Sequence, residues 1–254
     1  MVYSACVPAI FSGTPVHQAL PLVRAAGLSH YEFWSWWDQD VEKIVVAQTS
    51  LGLKPAALCT RYFILNDSAR REEYLDGMRQ TIDVCRRLGC STIITQVGQE
   101  IPGVSRQVQH EHIVEGLKAC VPMLEEARMT LVFEPLNTRV DHVGYYLWSC
   151  EEAFQIQREV GSEYVKVLVD LYHQYVMDDL DLPRILANLD KIGHFHVAGF
   201  PGRHEPHHDS EIDYETILAA IRRAGYSGAV GLEYFPVRPA SEGLRKLVEN
   251  WRNV

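Results

Sequence analysis

The feature that most constrains the fold is an alternation of short apolar runs with amphipathic segments, repeated about eight times. The apolar runs are rich in β-branched and aromatic residues, which is typical of parallel strands buried on both faces. The segments between them carry the 3.6-residue period of helices. Strict alternation of strand and helix predicts a parallel sheet covered by helices. The predicted strands are residues 3–11, 30–34, 54–60, 91–97, 130–136, 164–170, 192–199 and 229–235.

The length of the chain indicates how such a sheet closes. Its 254 residues match the ~250 residues typical of a barrel of eight βα units. Hydrophobic residues make up 47% of the chain, enough for a large core, and neither a linker nor a low-complexity segment interrupts it. We therefore expect an α/β protein, a single-domain (β/α)8 TIM barrel spanning residues 1–254.

Charge and composition narrow the possible partners and location. The net charge of −9 disfavours contact with a phosphate backbone, so we expect no nucleic-acid partner. The segment MVYSACVPAIFSG lacks the positive start of a signal peptide, and no apolar run is long enough to cross a membrane. The six cysteines are scattered without a CxxC pair, which favours reduced core thiols. These features predict a cytoplasmic protein; a homo-oligomer stays open.

Four consecutive predicted strands end in an acid or a histidine. Glu134, Asp170, His196 and Glu233 are separated by 36, 26 and 37 residues, about one βα unit each. Their side chains therefore fall at the carboxyl ends of the strands, where barrel enzymes build their sites. Two Glu, one Asp and one His are suitable ligands for a hard divalent cation, most simply Mn²⁺ or Mg²⁺.

Each of these residues also has an interpretation without a metal. Glu134 could pair with Arg139, and Asp170 could cap a helix. His196 shares a strand face with His194 and could be a satisfied core residue. Four residues of ligand type on four consecutive strand ends nevertheless favour the metal site.

Further residues are predicted to contact a substrate. His173 follows Asp170 by three positions and is either a hydrogen-bond donor or a surface loop residue. Arg203 follows the seventh strand, and its planar guanidinium suits a carboxylate or oxyanion. Trp34 and Glu32 lie at the end of the second strand, and both are expected to face the substrate.

Two loops have no settled assignment. The WSWW cluster, with Trp36 and Trp37 after Trp34, could wall a pocket, form an interface or pack within its own loop. The loop PGRHEPHH carries His204 and a later pair, His207 and His208, which could bind a second metal or belong to a solvated lid.

The segments EPLN, DLYH, GHFHVA and GLEY, with the arginine after GHFHVA, resemble the xylose isomerase-like barrels of sugar isomerases and epimerases. The resemblance covers nearly the whole chain and is most specific over residues 131–235; its nearest branch is hydroxypyruvate isomerase-like. It implies that Glu134 and Glu233 bind a divalent metal and also form the acid/base pair. It implies that Asp170 and His196 complete the coordination.

The resemblance also implies substrate contacts for His173 and Arg203. One position departs from the branch, because hydroxypyruvate isomerases often carry Gln where this chain has His196, whereas ketose 3-epimerases carry His. The segment RYFILND, residues 61–67, and the WSWW loop also look individual to this chain.

The implied chemistry is a metal-dependent isomerisation. The metal would chelate the carbonyl and an adjacent hydroxyl of a short hydroxy-keto substrate, such as hydroxypyruvate, tartronate semialdehyde or a 2-oxo-tetronate. One of Glu134 and Glu233 would remove a proton next to the carbonyl, giving a cis-enediolate to which a carboxyl returns a proton. Which Glu is the base stays open. The alternatives are a ketose 3-epimerase, an endonuclease IV-like phosphodiesterase and a non-catalytic sugar-acid binding protein.

Overall fold

The strands form one closed barrel. The structure, a computed structural model, describes residues 1–207 and 209–251. Each strand is parallel to the next, and the last pairs with the first, which confirms the predicted (β/α)8 barrel. The strands are β1 Val2–Cys6, β2 His30–Phe33, β3 Lys54–Cys59, β4 Thr92–Thr95, β5 Thr130–Phe133, β6 Val165–Asp170, β7 Ile192–Val197 and β8 Ala229–Leu232.

Helices cover the outside of the barrel, and several of them begin or end at residues that commonly cap helices. Ser105 accepts a hydrogen bond from the Val108 amide at the start of a long helix. Gly52 and Gly89 end helices in the left-handed conformation, with φ of 64° and 72°. The helices in the described residues are α1 Val7–Ile10, α2 Val16–Ala25, α3 Val41–Leu51, α4 Arg71–Leu88, α5 Arg106–Ala127, α6 Cys150–Val160, α7 Leu171–Val176, α8 Leu182–Ala187, α9 Tyr214–Arg223 and α10 Ala240–Asn250.

Several strands are shorter than predicted. The first ends at Cys6, because Pro8 lies in the first turn of α1 and favours a helix start. β5 ends at Phe133, two residues before Pro135, which has no amide for the sheet. Glu134 therefore lies just beyond the last strand residue, with its amide still bonded to the Thr95 carbonyl at 3.2 Å. That bond fixes the direction in which the chain leaves the strand.

The interior of the barrel is filled in layers. Side chains two residues apart on a strand point to the same face, so each residue of the lower layer lies beneath a strand-end residue. The apolar part of this interior contains Ala57, Cys59, Ile94, Val132 and Leu168, all at most 5% exposed. All six cysteines are buried and free, as predicted for core thiols. Among the described helices, none has both the length and the apolar character needed to cross a bilayer.

Candidate metal centre and active site

The strand ends of β5 to β8 bring the four predicted ligands together. One ligand atom from each of Glu134, Asp170, His196 and Glu233 lies within 4.8 Å of the others. Their exposures are 4%, 0%, 2% and 6%, so the group is buried. The Nδ1 atom of His196 lies 3.6 Å from Glu134 Oε1 and 3.5 Å from Glu233 Oε2. The strand-end pattern thus corresponds to one compact cluster.

The donor atoms in this cluster fit a divalent cation. Glu134 Oε1, Asp170 Oδ2 and His196 Nδ1 are buried and have no hydrogen-bond partner. Buried polar atoms are costly unless something satisfies them. Carboxylate oxygens with one imidazole nitrogen suit Mn²⁺, Mg²⁺ or Zn²⁺. The residues present could therefore hold a metal ion.

The surroundings of Glu134 and Asp170 bear on their interpretations without a metal. Arg139 pairs with Asp178 at the surface, not with Glu134. Asp170 does cap α7, because its Oδ1 accepts from the Tyr172 amide at 2.8 Å, but this leaves Oδ2 facing the cluster. The cap and the cluster use different oxygens of the same carboxylate.

Crowded buried charges alter the protonation of the metal-free cluster. Burial would lower the pKa of His196, but the carboxylates of Glu233 and Glu32 raise it well above its usual value. Burial raises the pKa of Asp170 to about 7 and also raises the pKa of Glu134. Burial acts on Glu233 in the same direction, but His196 and Arg203 together bring its pKa well below the usual value. Protons retained by these groups have to leave when a cation binds.

Arg203 and Trp34 both hold Glu233. A guanidinium nitrogen of Arg203, Nη2, pairs with Glu233 Oε2 and lies 3.7 Å from Asp170 Oδ2. The indole Nε1 of Trp34 donates to Glu233 Oε1 at 2.7 Å. Arg203 adopts a left-handed backbone with φ of 57°, a strained conformation that is concentrated at functional sites. Both oxygens of Glu233 are thus engaged, whereas Glu134 Oε1 has no hydrogen-bond partner.

His173 is a donor aimed at the cluster and not a surface residue. It is fully buried, and its Nδ1 lies 2.6 Å from the Asn137 amide nitrogen. The Asn137 oxygen accepts from the amides of Val140 and Asp141, so the side-chain amide is fixed with its nitrogen toward His173. Because Asn137 donates to Nδ1, the ring proton resides on Nε2, 3.5 Å from Asp170 Oδ2. Burial lowers the pKa of His173 well below its usual value and keeps the ring neutral.

A cavity of about 310 Å³ opens above the cluster. The polar part of its lining includes Glu134, His173, His196, Arg203 and Glu233. The apolar part of the lining is built from Trp34, Cys59, Phe63, Ile94, Leu136 and Phe235. Phe235 lies beside the charged residues, with its ring 5.6 Å from the Arg203 guanidinium.

The cavity also contains residues that the sequence did not single out. Gln96 follows β4, and His142 packs edge-on against the His173 ring at 5.2 Å between ring centroids. Asn137 belongs to the quoted EPLN segment, which was a usable signal. Nothing in the sequence around His142 places it beside His173, because that contact depends on how the loop after β5 folds back.

Glu32 needs a different assignment from the predicted substrate contact. It is 1% exposed and does not line the cavity. Its Oε2 is 2.8 Å from His194 Nε2, and its Oε1 is 3.4 Å from His196 Nε2. Glu32 lies within β2, two positions before Trp34, which directly follows the strand and lines the cavity. Side chains two positions apart point the same way, so Glu32 lies one layer deeper in the barrel. It supports the cluster from below.

The three tryptophans of the WSWW loop do not all contribute to the cavity. Only Trp34 lines the cavity; Trp36 donates from Nε1 to Thr81 Oγ1 at 3.3 Å. Trp37 is 41% exposed and packs edge-on against Trp36. The cluster therefore supplies one wall residue, and the other two tryptophans pack outside the site.

The histidines after β7 do not form a second centre in the described part of the chain. His204 Nδ1 lies 2.9 Å from the Phe235 carbonyl oxygen. Neither His204 nor His207 belongs to a cluster of metal-ligand type within residues 1–207 and 209–251. His208 lies outside the described residues.

Comparison with known proteins places this geometry in a family. Hydroxypyruvate isomerase of Escherichia coli is 34% identical over 176 residues, covering 69% of this chain and 67% of the relative. A 2-oxo-tetronate isomerase of Pectobacterium atrosepticum is 27% identical over 176 residues, covering 69% of this chain and 66% of that protein. The crystal structure of an AP endonuclease, family 2, from Brucella melitensis has a TM-score of 0.92 at 25% identity and covers 99% of each chain.

The sequence profile of the xylose isomerase-like TIM barrel family matches residues 20–254. The match includes the whole cluster of strand-end ligands and the loops that surround it. Together with the closed eight-stranded barrel, it establishes that the chain belongs to the xylose isomerase-like TIM barrel family.

Proposed function

We propose that this protein is an isomerase that moves a carbonyl between adjacent carbons of a small hydroxy-keto acid. Hydroxypyruvate and 2-oxo-tetronate are the substrates named for its relatives and are the first candidates. The observation that carries the proposal is the pair of buried carboxylates, Glu134 and Glu233, which both face the cavity within 3.6 Å of His196 Nδ1. Such a pair can take a proton from one carbon and return it to the next.

The cluster would supply its chemistry together with a divalent cation, Mn²⁺ or Mg²⁺. Held by Glu134, Asp170, His196 and Glu233, the ion would polarise the substrate carbonyl and stabilise negative charge on its oxygen. Asp170 has a second task, because its other oxygen fixes the start of α7 and thereby His173.

The proton transfer itself belongs to the two glutamates. One carboxylate accepts the C–H proton of the hydroxyl-bearing carbon, and the electron pair moves toward the carbonyl. A carboxyl group then returns a proton to the former carbonyl carbon, and the hydroxyl proton of the first carbon passes to the former carbonyl oxygen. The reaction therefore needs no external oxidant or reductant. His173 can donate its Nε2 proton to a substrate oxygen, because that atom has no other hydrogen-bond partner.

Arg203 favours an acid over a free sugar as the substrate. Arg203 lines the cavity and is 8% exposed as a residue. A planar cation in this position can pair with a substrate carboxylate through two parallel hydrogen bonds. A ketose 3-epimerase could use the same glutamates, but a neutral ketose offers Arg203 no anionic group. Identification of the product separates these two reactions.

A phosphodiesterase acting on DNA is less compatible with this chain, although one similar structure is described as an AP endonuclease. DNA binding relies on positive charge spread along a phosphate backbone. This chain has a net charge of −9, and Arg203 is the only arginine or lysine among the described residues that line the cavity.

The test is proton exchange in D₂O. The Mn²⁺- or Mg²⁺-loaded protein is incubated with hydroxypyruvate, 2-oxo-tetronate and neutral ketoses, and NMR follows products and deuterium incorporation. We expect isomerisation of a keto acid, with turnover lower by about 10²- to 10⁴-fold in Glu134→Gln and in Glu233→Gln. Glu126→Gln, at an exposed position of α5, is the matched control and should match the wild type.

Two results would contradict the proposal. Full turnover by both glutamine variants would remove the glutamates from the chemistry. Metal uptake without exchange of any substrate proton would instead favour a sugar-acid binding protein.

A further inference from the structure

We infer that Glu32 is a positioning residue that, with His194, fixes the ring of His196 so that Nδ1 faces the cation. Glu32 contributes no proposed metal ligand and does not line the cavity. The inference rests on the metal site of the proposed function and adds how one of its ligands is held.

The three side chains form a buried bridge below the cluster. The Glu32 carboxylate spans two imidazoles, with Oε2 2.8 Å from His194 Nε2 and Oε1 3.4 Å from His196 Nε2. Glu32, His194 and His196 are 1%, 1% and 2% exposed, so water does not compete for these atoms. The opposite nitrogen of His196, Nδ1, faces Glu134 and Glu233. Each nitrogen of His196 therefore has a different neighbour.

The chemistry of these neighbours determines where the ring proton resides. A carboxylate oxygen accepts hydrogen bonds from an imidazole N–H group. Glu32 Oε1 is buried and has no other hydrogen-bond partner, so it can accept from His196 Nε2, which lies 3.4 Å away. A proton on His196 Nε2 then faces Glu32, and Nδ1 keeps its lone pair for the metal. A carboxylate behind a ligating imidazole also makes that ligand more basic.

Gly231 provides the space that this arrangement needs. It lies opposite His196 in the pairing of β7 with β8. A Cβ atom at position 231 would lie 1.9 Å from Glu32 Oε1 and 2.6 Å from His196 Cδ2. Any other residue would displace the carboxylate or the ring, so β8 contributes to the bridge by carrying no side chain.

The first test measures Mn²⁺ affinity by titration calorimetry without substrate. Glu32→Gln keeps the size of the side chain but replaces one accepting oxygen by a donating amide, which opposes one of the two imidazole N–H groups. We expect Mn²⁺ affinity to fall about 10- to 100-fold. The matched control is Tyr31→Phe, the neighbouring residue of β2, which removes a buried hydrogen bond of 2.6 Å to Gln48 far from the cluster.

Tyr31→Phe should bind Mn²⁺ as the wild type does, even if it is destabilised to the same extent as Glu32→Gln. Wild-type affinity in Glu32→Gln would overturn the inference and make Glu32 a structural residue only. Two Mn²⁺ ions per wild-type chain, with one lost in Glu32→Gln, would also overturn it, because Glu32 and His194 would then be ligands. If the wild type bound neither Mn²⁺ nor Mg²⁺, the proposed metal site itself would fail.

A second measurement needs no variant at this position. Long-range ¹H–¹⁵N spectra of the wild type with the diamagnetic ion Mg²⁺ report which ring nitrogen of His196 carries the proton. We expect a protonated Nε2 and an unprotonated Nδ1. A proton on Nδ1 in the Mg²⁺-bound protein would refute the assignment, whatever the stability of Glu32→Gln.

Discussion

The two halves of the barrel mouth differ in chemistry although they are built from the same βα unit. At or next to the ends of β5 to β8 lie Glu134, Asp170, His196 and Glu233, which share one buried cluster. The corresponding positions of β1 to β4 hold a sulfur, an indole, a second sulfur and an amide. These belong to Cys6 and Cys59, the last residues of β1 and β3, and to Trp34 and Gln96, which directly follow β2 and β4. The repeat therefore supplies equivalent positions, and the residue at each strand end decides what that position does.

The half of the mouth formed by β5 to β8, the charged half, carries the acidic and basic groups of the cavity, whereas the second half, formed by β1 to β4, gives the cavity its shape. Charges gathered in one half can surround a single cation, and they interact strongly because the other half excludes water. Phe63 and Ile94 in the second half offer contact area but no hydrogen bond from their side chains. Trp34 connects the halves, because its ring belongs to the wall and its N–H reaches Glu233. Changes in the charged half should affect turnover most.

Apart from the two glutamates, the largest expected effect in this comparison is at Arg203. Arg203→Lys keeps the charge but loses the planar fork, and hydrogen bonds to charged groups contribute roughly 1.5–3 kcal/mol. We expect kcat/KM for hydroxypyruvate to fall about 10- to 100-fold, mainly through KM, in steady-state assays. Any residual turnover of a neutral ketose should change much less. An equal loss for charged and neutral substrates would mean that Arg203 acts on Glu233 and not on a substrate carboxylate.

A smaller effect is expected where the two halves meet. Trp34→Phe retains an aromatic wall but removes the donor to Glu233, and we expect turnover to fall about tenfold. Trp36→Phe is the matched variant, since it removes an indole N–H that bonds Thr81 outside the cavity. Its turnover should stay within about twofold of the wild type. If both variants had the same turnover, the hydrogen bond from Trp34 to Glu233 would not contribute to catalysis.

The smallest effect is expected in the apolar wall. Ile94→Val removes one methylene from a side chain that is 4% exposed. The free energy of unfolding should fall by about 0.5–1.5 kcal/mol in urea titrations. Turnover of a three-carbon acid should stay within about threefold of the wild type. A loss as large as that of Arg203→Lys would contradict the division between a charged half and a wall that provides shape.

The sequence predicted the charged half because its signal is local. A carboxylate that closes an apolar run, as at Glu134 and Glu233, is costly without a partner, and the spacing placed both at the same end of the barrel. Asp170 illustrates a limit of this reasoning. Helix cap and metal ligand looked like alternatives, yet the structure gives one oxygen to each task.

The supporting contacts could not be predicted from the sequence, because they join residues that are far apart in the chain. Glu32 and His194 are separated by 162 positions, and their contact depends on closure of the barrel. The strand-end position of Glu32 suggested a substrate contact, whereas its depth in the interior depends on the stagger of β2 against its neighbours. Gly231 gave no signal, because the need for a missing side chain appears only once Glu32 and His196 are in place.

Anomalous diffraction from crystals soaked in Mn²⁺ shows directly whether the four residues at the strand ends hold a metal ion. We expect one strong peak, bounded by Glu134, Asp170, His196 and Glu233, with the His196 contact made through Nδ1. Metal–oxygen distances near 2.0–2.3 Å would be expected at such a site. A peak on the histidines of the loop after β7, or no peak among these four residues at saturating Mn²⁺, would contradict this expectation.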